Sequence, residues 1–244
     1  LEEKVKLRTK ELQIANASKD KFFSIIAHDL KSPFNALMGL SEIIIDNWED
    51  MSDYDKIDFI KNIHTSSKNT FNLLQNLLEW SRSQTGRVQV KATKFSPYRI
   101  IHENVNVLYQ HADNKNITLK ISVPENYNCF ADENMMSTVF RNLISNSIKF
   151  TNKGGLIEIS VSQKDDFLQF CIADNGIGMS EKTVTNLFNI TEKVQRSGTA
   201  NETGTGLGLF LCKEFIEKNG GTIFVESTAD VGSQFYFTIP VNTD

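Results

Sequence analysis

Residues 142–151 read NLISNSIKFT, and the spacing of their side chains decides how the second half of the chain folds. Asn142, Asn146 and Lys149 recur at intervals of four and three, so an α-helix puts them on one stripe. Met136, Phe140, Leu143, Ile144 and Ile148 fall mostly on the opposite side and form an apolar face. The pattern predicts a helix over about 133–150. An amide stripe on a helix is commonly just a solvated face. Asparagine oxygens are also hard donors suited to Mg2+, and Lys149 can meet a phosphate as a point charge.

Downstream, Asp174-Asn175-Gly176-Ile177-Gly178-Met179 follows a run with strand alternation, Leu168, Phe170 and Ile172. An acid followed by two spaced glycines lets backbone pass close to a flat ligand while the carboxylate accepts a hydrogen bond. The same residues are strong turn chemistry. Gly204-Thr205-Gly206-Leu207-Gly208-Leu209 then opens a helix over about 206–218. Glycine-rich backbone at a helix N-terminus favours anions through free N–H groups and the helix dipole. It is not a Walker pattern, because no G-K-[ST] follows, and GxGxG after a long loop is not a dinucleotide fingerprint. Gly232-Ser233 precedes a strand over 234–239 and also reads as a hairpin turn.

Further alternating runs surround these motifs: Ile117, Leu119, Ile121 and Val123; Ile157, Ile159 and Val161; Thr222–Glu226; Phe235–Ile239. Ser96-Pro97 opens another helix, with Ser96 as its N-cap. The sum is a mixed sheet with helices, an α/β sandwich of about 150 residues.

Upstream the composition changes. Only Gly39 and Gly86 occur in residues 1–153, whereas eleven of the 13 glycines lie in 154–244, so the front reads as helical. Val5, Leu12, Lys19 and Ile26, with Leu1, Arg8, Ala15 and Phe22, thread a heptad through the first helix. A polar, acidic turn over 45–55 leads to a second helix over 56–85, which carries Ile57, Ile60, Ile63, Phe71, Leu74, Leu77 and Leu78 and is capped at Gly86. Such an antiparallel hairpin has too little core alone and is expected to pair with a copy of itself into a four-helix bundle. On the first helix, residues 22–33 read FFSIIAHDLKSP. His28 has Asp29 beside it, Ser32 one turn on along the same face, and Pro33 where a kink is expected. A neutral imidazole can attack phosphorus, with the carboxylate orienting the ring or taking its proton. His64, His102 and His111 have no such company.

Composition excludes several classes. The 244 residues carry 40% hydrophobic and 23% charged side chains, the mix of a globular protein. With 26 basic against 30 acidic residues there is no positive excess to hold nucleic acid. No apolar run approaches the ~18 residues of a membrane span. Cys129, Cys171 and Cys212 form neither a disulfide framework nor a metal spacing, which fits a reducing compartment. The chain opens at Leu1 rather than Met and reads as a piece of something longer.

Taken together, the motifs resemble the sensor histidine kinases of two-component systems. Residues 22–33 look like the H box and 142–151 like the N box. Asp174–Met179 and Gly204–Leu209 look like two glycine boxes, Leu187-Phe188 like the F box and Gly232-Ser233 like a third glycine motif. The resemblance implies an α+β chain: a coiled-coil signalling helix over 1–20, a dimerisation and histidine-phosphotransfer domain over 21–88, and a Bergerat-type ATP-binding domain over 94–244. It implies His28 as phospho-acceptor, Asp29 as its base or orienting acid, Asn146 as the Mg2+ ligand, and Asn142 and Lys149 at the phosphates. It further implies Asp174 at the adenine amine, and Gly176, Gly178, Gly204, Thr205, Gly206, Leu207 and Gly208 shaping the pocket and a lid over about 180–203. Phe150 stands where the family often has Tyr, so no hydroxyl contact is expected there. Ser32 stands where Thr or Asn is commoner in the phosphatase role; its hydroxyl either aligns a water against a regulator's aspartyl phosphate or bonds a helix carbonyl. ATP and Mg2+ are the implied cofactors, and a second copy and a response-regulator receiver domain the implied partners. An upstream sensor domain would lie outside the chain. The implied location is cytoplasmic, and membrane anchoring of the parent through a segment outside this chain stays open. Two rivals stay open as well: an ATPase of the gyrase or heat-shock-chaperone kind, which would use a carboxylate near the N box to activate water, and a non-enzymatic dimeric scaffold.

Overall fold

The computed structural model describes residues 5, 9, 27, 30–84, 90–188, 196–200, 202 and 207–242, except the side chains of residues 72, 76 and 79–84. The chain divides into two compact units, Leu1–Arg87 and Val88–Asp244. Most of the heptad rows, His28, Asp29, Gly86, Gly204, Thr205 and Gly206 lie outside the described residues. No helix among the described residues is long and apolar enough to cross a membrane.

The first unit holds helix α1, described over 30–47, a turn over 48–52, and helix α2, Asp53–Gln84. Helix α1 continues through Pro33 as one helix. Helix α2 starts three residues earlier than the apolar spacing predicts, because Ser52 caps its N-terminus and Asp55 holds the cap. The Asp55 N–H donates to Ser52 Oγ at 3.1 Å, and that hydroxyl donates to Asp55 Oδ2 at 2.6 Å. Lys56 Nζ lies 4.7 Å from the centre of the Trp48 ring and ties the turn to the helix.

The second unit is a mixed sheet with helices packed on it. Strands β1 (Ala92–Phe95) and β3 (Cys129–Asp132) form a two-stranded antiparallel ribbon. Strands β2 (Thr118–Ser122), β4 (Leu156–Lys164), β5 (Phe167–Asp174), β6 (Ile223–Thr228) and β7 (Gly232–Pro240) form a sheet in the order β2-β4-β5-β7-β6. Only β2–β4 is parallel, bridged by β3 and helix α4 (Glu133–Phe150). Helices α3 (Pro97–Asp113), α4, the short α5 (Glu181–Asn186) and α6 (Gly208–Lys218) complete the unit. At its centre Phe140 meets Phe170 and Phe237 edge-on, each at 5.2 Å, and the last two stack at 5.1 Å across directly paired strands. Strand β3 was not anticipated, and Ser96 caps α3 by position only, making no side-chain cap hydrogen bond.

Candidate functional site

Helix α4 is fixed at both ends. Asp132 Oδ1 accepts from the N–H groups of Asn134 and Met135, both at 3.1 Å, while Oδ2 accepts from Lys91 N. Asn219, buried below α6, accepts from Asp132 N at 2.7 Å. At the other end Thr151 donates through N and Oγ1 to the Ser147 carbonyl. Leu143, Ile144 and Ile148 are buried as the periodicity predicts. Asn142, Asn146 and Lys149 line the more open side.

Asp174 ends β5, paired with Ile157 of β4 on one side and Ser233 of β7 on the other. Its Oδ1 accepts from Gly176 N at 3.0 Å. Burial pushes its pKa above the ordinary aspartate range, opposed by the Gly176 backbone, the Ser147 hydroxyl and the Ser233 backbone. Asn175 pins the loop to β4, its Oδ1 accepting from Leu156 N at 2.8 Å. Gly176 and Gly178 are required by the fold itself, besides any approach of backbone to a ligand. A side chain at Gly176 would collide with the Phe150 carbonyl, and one at Gly178, held at φ +55°, with the Thr228 carbonyl. Gly232, at φ +137°, likewise has no room beside the Asp174 carbonyl. Main chain from α4, β5 and β6 thus fills these places. Gly208 opens α6, where a Cβ would come within 3.0 Å of Asn142 Oδ1, so the second glycine motif and the amide stripe meet. Leu207 is buried at the N-cap of α6.

The amides can take a cation. Asn142 gives one Nδ2 hydrogen to the Thr138 carbonyl at 3.0 Å, which leaves the second hydrogen as a donor and the amide oxygen as an acceptor. The described residues contain no cluster of three His, Cys, Asp or Glu side chains. An amide oxygen outside any such cluster fits Mg2+ held chiefly by phosphate oxygens and water, rather than by a dedicated protein cage. Burial lowers the pKa of Lys149, whose Nζ lies 4.7 Å from the centre of the Phe150 ring.

Lys115 was not foreseen. Only 11% exposed in its side chain, its Nζ donates to the Ile148 carbonyl at 2.8 Å, the Lys149 carbonyl at 3.1 Å, Thr199 Oγ1 at 2.5 Å and Glu202 Oε1 at 3.0 Å. Thr199 Oγ1 lies 2.7 Å from the Thr151 carbonyl. The far end of the expected lid is therefore fastened to the last turn of α4. Arg196 Nη1 donates to the Gly178 carbonyl at 3.1 Å, tying the same segment to the first glycine loop. These ties join residues far apart in the chain and leave no local sequence pattern.

The family model described as Histidine kinase-, DNA gyrase B-, and HSP90-like ATPase matches residues 131–243, and that of the His Kinase A (phospho-acceptor) domain matches 18–86. The circadian input-output histidine kinase CikA of Synechococcus elongatus is 31% identical over 100% of this chain and 34% of its own length. The aerobic respiration control sensor protein ArcB of Escherichia coli is 29% identical over 93% of this chain and 29% of its own. The chain thus spans about a third of the length of these relatives. Among solved structures, the Acinetobacter baumannii histidine kinase AdeS superposes with a TM-score of 0.68 at 20% identity, covering 88% of this chain and 98% of that one. Histidine kinase ThkA, solved in complex with the response regulator protein TrrA, gives 0.71 at 22% identity, covering 96% and 64%. These two likenesses establish the fold.

Proposed function

The chain belongs to the sensor histidine kinases, and from that premise we propose that it phosphorylates itself from ATP on His28 and passes the phosphoryl group to an aspartate of a response regulator. The observation that carries this reading is the union, in one chain, of a phospho-acceptor domain and an ATPase domain. An ATPase of the gyrase or chaperone kind has no use for the former. Such enzymes also activate water with a carboxylate near the N box, where this chain offers Asn142.

In the proposed reaction Asp174 accepts from the exocyclic amine of adenine. Asn142 and Lys149 hold the phosphates, and Asn146 is the protein's ligand to Mg2+. When bound, Mg2+ offsets the negative charge of the phosphate oxygens. Neutral His28 attacks the γ-phosphorus in line; an N–P bond forms, the bond to the bridging oxygen breaks, and ADP leaves with that electron pair. Asp29 orients the imidazole and takes the proton it sheds. The pocket residues contribute position and charge rather than covalent chemistry. Ser32 is exposed on α1 four residues after His28, which supports a role toward a docked regulator. We assign the helical unit to dimerisation and the whole core to the cytoplasm.

Incubation with γ-labelled ATP is expected to give an acid-labile, alkali-stable label on the wild-type chain. His28→Gln should lose it completely while keeping its affinity for ATP, since acceptor and nucleotide site belong to different units. Label retained in that variant moves the acceptor elsewhere, and ATP turnover with no labelling of the wild type would favour the gyrase-type reading.

A further inference from the structure

Lys115 stands in the turn between α3 and β2, with its side chain only 11% exposed. Its ammonium has three hydrogens, and four acceptors crowd it: the Ile148 and Lys149 carbonyls, Thr199 Oγ1 and Glu202 Oε1. The two carbonyls belong to the last turn of α4, where they have no partner inside the helix. That end is also the negative pole of the helix dipole, which favours a cation and disfavours a carboxylate. The segment lying there nevertheless carries Glu202. Thr199 N holds it to the Lys149 carbonyl at 3.0 Å. Glu202 folds back on the same segment, its Oε2 accepting from Ala200 N at 2.8 Å and its carbonyl from Gly198 N at 2.9 Å. Gly198 is buried between these groups: a Cβ there would collide with Glu202 Oε2, Lys149 Cγ and the Lys149 carbonyl alike. The Glu202 carboxylate and the stem of Lys149 therefore flank one point. Two lysines stand beside a single carboxylate, and Lys115 holds it, at 3.0 Å. Among the described residues Lys149 forms no ion pair, and its Nζ lies over the Phe150 ring.

We propose that Lys115 is a positioning residue for the phosphate end of the pocket: by pairing with Glu202 it keeps that carboxylate from Lys149 and leaves the Lys149 ammonium for a phosphate. The inference rests on the reading of the pocket as a nucleotide site with Lys149 at the phosphates. Without the Lys115 charge, Glu202 stays tethered by Ala200 N and Gly198 N beside the Lys149 stem, its own charge unmatched. The Lys149 ammonium, a compact charge on a flexible stem, can turn to answer it. A phosphate then has to displace a carboxylate before it can bind. Lys115 acting merely as a cap on the α4 carbonyls would need donors there but no charge, so the two roles separate on charge.

The test measures calorimetric affinities of the full chain for ATP with Mg2+ and for adenosine, which has no phosphate to meet Lys149. Lys115→Met keeps most of the side chain's length and removes its charge. It should weaken ATP about tenfold and leave adenosine unchanged. Adding Glu202→Gln to that variant removes the competing charge and should restore most of the ATP affinity. Glu202→Gln alone should leave ATP unchanged or tighter. If Lys115→Met binds neither ligand, Lys115→Gln, which keeps N–H donors for the α4 carbonyls without the charge, is read in the same way. Equal loss of ATP and adenosine in both Lys115 variants, or no restoration by Glu202→Gln, overturns the assignment and leaves Lys115 as a cap of α4. If wild type binds neither ligand, the nucleotide reading falls and this inference with it; ATP bound equally well by wild type and Lys115→Met sinks the inference alone.

Discussion

Phe140, Phe170 and Phe237 have essentially no exposed surface, whereas Phe34, Trp48 and Phe71 keep 49%, 47% and 59% of theirs open. The two units bury their aromatic residues to opposite extents. The sheet unit closes its core within one chain, with three phenylalanines ring to ring beneath the loop that carries Asp174. In the helical unit, Leu73 and Thr70 are the buried side chains among the described residues, while Met38, Ile45, Ile57, Ile60 and Leu78 face outward. An apolar helix surface of that length is the complement of another such surface, and the proposed dimerisation would supply one. One unit is thus self-sufficient and can hold a pocket in shape. The other leaves an apolar face open for the proposed second copy.

Three substitutions probe that contrast. The largest effect is expected from Phe140→Ala, which removes the ring touching both others and should cost about 3–5 kcal/mol. Urea unfolding followed by circular dichroism should show the sheet unit melting early while the helical signal persists. A single shared transition would show that the units stabilise one another. Next, Asp174→Asn should weaken ATP about 10–100-fold, because the ligand amine then meets a group that can also present a donor. The same change should raise the melting temperature of the nucleotide-free protein at neutral pH. Asp174 has a folded-state pKa raised above its unfolded value, so its ionised form burdens the fold at any pH above the folded pKa. The advantage of the variant should shrink as pH falls through the folded pKa toward the unfolded one. An advantage that grows in acid would reverse the sign of the burial effect. The smallest effect belongs to the helical unit: Ile60→Ser should weaken self-association about tenfold. Light scattering across a dilution series should place the wild-type chain at twice its 27.6 kDa and show the variant dissociating at higher concentration. A wild-type monomer at every concentration would leave the open apolar face without its explanation.

What could be read from the chain follows the range of each interaction. Helix α4 was legible from end to end because its apolar face and amide stripe repeat every turn, whereas its Asp132 cap emerged only in three dimensions. Strand β3 was not, since Cys129–Asp132 is four residues long and has meaning only as the partner of β1. The start of α2 was missed because Ser52 and Asp55 hide in an acidic stretch that reads as a turn. The glycines were legible, but the fold's own need for them was not: the Phe150 and Thr228 carbonyls lie where side chains at Gly176 and Gly178 would go. Lys115 reaches Thr199 and Glu202 across more than 80 residues, a separation at which no periodicity survives. Ser147 sat in plain view inside NLISNSIKFT, but a hydroxyl without a helical partner is visible only in three dimensions.

The packing around Asp174 also has a consequence for biosynthesis. Its loop is closed by Gly232 lying against its carbonyl and by Ser233 pairing with it on β7, near the end of the chain. A ribosome delivers the helical unit before this closing strand. Until β7 emerges, the loop lacks one wall and the niche that holds the carboxylate is unfinished. A chain whose synthesis has not yet reached β7 is therefore expected to lack a finished niche around Asp174, however complete its helical unit.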